Sequence, residues 1–125
     1  MTGKRRVADD PRLPRLLDAA EAAWRGRQRK LARAMAAERE AAEAVADLDA
    51  RKAECLAMMS GAGSASPAQF MAACRWMQWA EAERGERNAV LARARAAAMA
   101  ERDAARPVFG RVAVLSKLSG KKPGG

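Results

Sequence analysis

Two cysteines, Cys55 and Cys74, and no histidine in 125 residues set the limits of what this chain can do chemically. Without imidazole there are no Ser-His or Cys-His nucleophile pairs, the commonest general base is missing, and most zinc sites are excluded. The cysteines are too far apart in sequence for a CxxC motif. They read either as a redox pair or as two small apolar side chains in a thin core, and a reducing compartment favours the second. Glu81, Glu83 and Glu86 supply carboxylates, but an open helix surface offers no pocket to raise a pKa, so no acid–base role follows. Gly61 and Gly63 lack the preceding strand and following lysine of a phosphate-binding loop. The expectation is a non-enzyme with no catalytic residue, cofactor or metal.

Residues suited to binding are more informative. Trp76 and Trp79 stand three apart, with Met71 and Met77 nearby. Either they form an outward apolar patch for a protein partner, or a phase slip of their helix turns them inward. Arg25, Arg27, Arg29, Lys30 and Arg33 form a basic run with no intervening acid, in which Arg25, Arg29 and Arg33 share one helix face. That row fits phosphates or an acidic protein surface. The plainer reading, a solvated face, is favoured because acids from Glu38 to Glu54 dilute the charge. No aromatic interleaves the run, so stacking on single-strand bases has no support.

The elements that must position these residues are two helices. Pro11 and Pro14 fit before or within a first helical turn. From there to Gly61 the chain holds no further proline and one glycine, Gly26, which predicts a helix over about 12–59, roughly 65–70 Å long. Its heptad has Leu17, Trp24, Leu31, Glu38, Val45, Lys52 and Met59 at a, and Leu13, Ala20, Arg27, Ala34, Ala41, Leu48 and Cys55 at d; Arg27, Glu38 and Lys52 are the polar breaks. Residues 60–66, rich in Gly and Ser, form the turn. Ser66-Pro67-Ala68-Gln69 then matches a capping box. A second helix follows over about 67–105, with an amphipathic extension to 118 kinked at Pro107 and Gly110.

So short a connection makes the helices antiparallel neighbours. Pairing residues whose numbers sum to 129 sets Met59 against Phe70, Cys55 against Cys74, Leu31 against Ala98, Trp24 against Ala105, Ala20 against Phe109 and Leu17 against Val112. The same pairing puts Leu48 against Glu81, Val45 against Arg84 and Arg27 against Arg102, a poorer seam. The fold expected is all-α, one long antiparallel two-helix coiled-coil hairpin over residues 1–125 with flexible ends.

Composition agrees. Thirty-three alanines and only five aromatic residues make a core of methyl groups, suited to helices in close approach. The 24 basic and 15 acidic residues give a net +9, which favours an acidic partner, though an Ala- and Arg-rich composition also follows from high genomic GC content. No apolar run is long enough to span a membrane, and the basic start lacks the apolar stretch of a secretory signal. A soluble, cytoplasmic protein is expected.

A small, basic, Ala- and Arg-rich hairpin with an extended second helix resembles the FliJ/YscO-like stalk proteins of flagellar and virulence type III secretion systems, from about Leu13 to Leu118. The resemblance is one of layout and composition, and no functional residue carries over individually. It implies a coiled-coil stalk that inserts in the pore of a hexameric export ATPase, contacts the export gate and, for some members, binds secretion chaperones. The partner-binding residues expected are Met71, Trp76, Met77, Trp79, Arg25, Arg29 and Arg33. Two alternatives remain: a basic hairpin that binds nucleic acid, which the dilution of charge disfavours, and a homo-oligomeric coiled-coil adaptor.

Overall fold

The computed structural model describes residues 7–61 and 65–120. The expected Gly63 and Ser64 part of the turn and most of the flexible ends lie outside the described residues. A short 3-10 turn, Val7–Asp9, precedes two long helices, α1 (Leu13–Ser60) and α2 (Pro67–Leu118), which pack against each other with no strand among the described residues. The fold is an all-α helical hairpin.

Local chemistry fixes the helix ends. A turn at Asp10 leads into α1: its Oδ1 accepts from the Arg12 backbone N–H at 2.9 Å and its carbonyl from Leu13 N–H at 3.1 Å, the Arg12 carbonyl then accepts from Leu16 N–H at 3.0 Å, and Pro14 sits in the first helical turn, where no N–H is needed. At the other hairpin arm the capping box closes in both directions. Gln69 N–H donates to Ser66 Oγ at 3.2 Å, and Ser66 N–H donates to Gln69 Oε1 at 2.9 Å. Helix α2 continues through Pro107, whose ring nitrogen leaves the Asp103 carbonyl without its helical donor. It ends where Gly120 takes φ of 75°, a conformation that costs other residues a clash at Cβ.

The chain divides into two compact units. One combines residues 1–34 with 97–125, and the other is 35–96. In the first, Leu13, Leu17, Ala20, Ala98, Ala105 and Val112 are buried, and Trp24 stacks on Phe109 with ring centroids 5.1 Å apart. In the second the buried set is Ala41, Leu48, Ala80 and Leu91, with Leu48 fully enclosed. Both cores are thin, as an alanine seam requires.

The heptad of α1 stands at every a and d position, all of which are buried or half-buried. That of α2 is corrected. Phe70, Glu81, Arg102 and Phe109, expected in the seam, are exposed, while Ala80, Glu101 and Val108 are buried or half-buried. The seam positions alternate three and four residues apart, and the pairing places the shorter step in the wrong half of each heptad. Side-chain partners shift with it. Trp24 meets Phe109 as well as Ala105, Arg27 meets Glu101 rather than Arg102, and Glu81 and Arg84 meet Lys52 and Asp49 rather than Leu48 and Val45.

Candidate functional site: a polar seam and two exposed patches

The three polar breaks in the α1 seam each take a carboxylate or guanidinium partner from α2. Lys52 Nζ donates to Glu81 Oε1, Arg27 reaches Glu101 at 3.7 Å, and Glu38 reaches Arg95 at 3.9 Å. Beside them Arg84 Nε donates to Asp49 Oδ1 at 2.9 Å. Arg87 donates from Nη1 to the Ala44 carbonyl at 2.8 Å and from Nε to Glu83 at 3.0 Å. Opposite charges at fixed levels of the two helices penalise a slipped pairing more than they stabilise the right one.

These contacts set the only shifted acidities of the seam among the described residues. The Arg84 guanidinium, hydrogen-bonded to Asp49, holds that carboxyl below its usual range, and Lys52 does the same for Glu81. Arg84 is in turn raised by Asp49. Asp49, Glu81 and Arg84 are solvated and Lys52 is half-buried, so the pairs order side chains more than they stabilise the fold. Among the described residues no group of three or more His, Cys, Asp or Glu side chains gathers as for a metal ion.

Cys55 and Cys74 are both free, half-buried thiols. Cys55 lines an apolar hollow with Met58, Met59, Gln69, Ala72 and Ala73, and Cys74 is not part of that lining.

The tryptophans occupy the first third of α2 in an unusual stretch. Residues 55–80 carry a single charge, Arg75, in a chain that is 31% charged. Within that stretch Trp79 is 48% exposed and Met71 57% exposed, while Trp76 is half-buried and packs on Trp79 with ring centroids 6.2 Å apart. Met77, grouped with them by spacing, is half-buried on the seam side, one turn before Ala80. Leu56, Met58 and Phe70, all half exposed or more, extend the apolar surface. The reading of the sequence missed those three, although the scarcity of charge between Glu54 and Glu81 was there to find them.

Arg25, Arg29 and Arg33 are exposed along α1 and hold no carboxylate. They belong to the unit of residues 1–34 and 97–125, and the tryptophans to the unit 35–96. No helix among the described residues is long and apolar enough to cross a membrane. Set against family models, curated proteins and solved structures, the chain matches none of them.

Proposed function

We propose that this chain is a non-enzymatic stalk or adaptor of a type III secretion export ATPase, a helical hairpin that enters the hexameric ring and couples it to the export gate or to secretion chaperones. The observation that carries the protein-binding part is the apolar surface around Trp76 and Trp79, in a stretch with one charge and several half-exposed large side chains. Exposed aromatic and methionine side chains on an ordered helix cost free energy in a free monomer, and they are the residue types that anchor protein interfaces. The hairpin fold and the layout shared with FliJ/YscO-like stalks supply the specific partner.

The test is reconstitution with the cognate hexameric ATPase. The purified hairpin should bind the ATPase and raise its hydrolysis or ring assembly, with no hydrolysis by the hairpin alone. Replacing Trp76 and Trp79 together with Ala should abolish binding to a gate or chaperone partner while the melting temperature barely moves. A double variant that melts much lower, or that keeps full affinity, overturns the patch. A hairpin that forms stable oligomers by light scattering and ignores the ATPase overturns the stalk in favour of a self-associating adaptor.

A further inference from the structure

We propose that the row Arg25, Arg29 and Arg33 binds the phosphate backbone of duplex nucleic acid without reading its sequence. The proposal stands on the pairing of charges, which counting cannot supply, and is independent of the tryptophan surface.

The two units differ sharply in charge. Residues 1–34 and 97–125 hold sixteen basic and six acidic residues, whereas 35–96 hold eight and nine. They differ as sharply in pairing. In the second unit Arg51, Lys52, Arg84, Arg87 and Arg95 each hold a carboxylate within 4.0 Å, and Arg39, Arg75 and Arg93 hold none. In the first, only Arg12, Arg27 and Arg106 do so among the described residues. Arg15, Arg25, Arg29, Lys30, Arg33, Arg102, Arg111 and Lys117 hold none. Of the acids that would dilute the row, Glu38, Asp47 and Asp49 are engaged by Arg95, Arg51 and Arg84, leaving Glu40, Glu43 and Glu54. Within the row's own unit the acids without a cation are Asp9, Asp18 and Glu21, which all precede Arg25.

Geometry selects the ligand. A four-residue step advances about 6 Å along the helix and keeps the three guanidinium groups on one face, a ladder of forks suited to bidentate contact with successive phosphates. On that face Ala22, Ala32 and Ala36 are small, and the carboxylates in line with it, Asp18 and Glu21 before the row and Glu40 and Glu43 after it, bracket the three arginines without interrupting them. A bilayer anchor needs large apolar side chains beside its cations, and this face has none. Stacking needs an aromatic there, and the nearby ring, Trp24, is occupied by Phe109. An arginine can also fork onto a guanine edge, but three identical cations at equal steps match the even spacing of phosphates and carry no pattern that distinguishes one sequence from another.

The experiment is fluorescence anisotropy of the full chain with labelled duplex DNA of two unrelated sequences across a salt series. The wild type should bind both alike, with log affinity falling linearly as log salt rises. Replacing all three arginines with Ala should weaken binding to both and reduce the salt slope by about one for each lost phosphate contact. The triple Lys variant should keep the slope, and Arg75→Ala should leave it unchanged. Circular dichroism should show both triple variants still helical, since Ala and Lys are strong helix formers. A slope unchanged by the triple Ala variant overturns the proposal. So does sequence-selective binding. Stronger binding to phosphatidylglycerol vesicles, or competition by polyglutamate as effective as that by duplex, also overturns it, because the row would then recognise a membrane or a carboxylate surface instead.

Discussion

Ser66 and Gln69 exchange hydrogen bonds at 3.2 and 2.9 Å, and nothing else ties down the first turn of α2 so directly. Ser66→Ala removes the acceptor for Gln69 N–H and should cost about 1 kcal/mol in urea unfolding. The carboxylates of the seam give a pH dependence whose sign is fixed. Asp49 and Glu81 lie below their ordinary values of 3.8 and 4.5 because Arg84 and Lys52 favour the charged forms. Folded-state values that are lowered contribute stability that is present above the unfolded values and lost as pH falls through the folded ones. The melting temperature should therefore hold from neutral pH to about 5 and fall below it, and the fall should be shallower in Arg84→Ala and Lys52→Ala variants. An identical acid profile in those variants would show that the pairs contribute nothing.

At the level of the helices, the two seams differ in legibility for a physical reason. Helix α1 carries Leu13, Leu17, Trp24, Leu31, Val45 and Leu48 on one stripe, and large apolar residues declare a heptad. Helix α2 has alanine on every side, so small residues fit either phase and the choice falls to the ion pairs. A Lys52→Glu, Glu81→Lys exchange should melt closer to the wild type than either single variant does, which thermal unfolding of the three chains can read. Among the described residues Leu48 is the one large apolar side chain with no exposure, and Leu48→Ala should cost about 2–5 kcal/mol, a large share of a small domain's stability. Gly85 lies inside α2 with open space where a Cβ would stand. Gly85→Ala should therefore stabilise the hairpin by about 0.5–1 kcal/mol, provided the helix there is as regular as its neighbours.

For the molecule as a whole, charge is segregated and apolar surface is not. Net charge concentrates in the unit of residues 1–34 and 97–125. Exposed large apolar side chains occur in both units, Leu16, Met99 and Val114 among them in that one, and Leu56, Met58, Phe70, Met71 and Trp79 in the other. What sets the second group apart is a stretch of chain with a single charge, Arg75. Deleting the tryptophan rings should abolish a salt-tolerant interaction, and deleting the arginine row a salt-sensitive one. Binding of the export ATPase and of duplex DNA, each measured at low and high salt with each variant in turn, separates the two.

Sequence alone determined the hairpin and the α1 seam, because these rest on local rules: prolines confined to the start of α1, the Ser66–Gln69 box at the start of α2 and a stripe of large apolar residues. It also excluded histidine chemistry outright. Only tertiary structure decided the phase of α2, the pairing of Arg27, Glu38 and Lys52 across the seam, and the positions of the candidate residues. Trp79 and Met71 are outward, Trp76 is half-buried, Met77 is on the seam side, and Arg25, Arg29 and Arg33 are exposed without partners. The reason is that an alanine-rich helix has nearly the same burial free energy in neighbouring phases. Its rotation is then set by a few long-range ion pairs, and those depend on which residues of the other helix lie opposite.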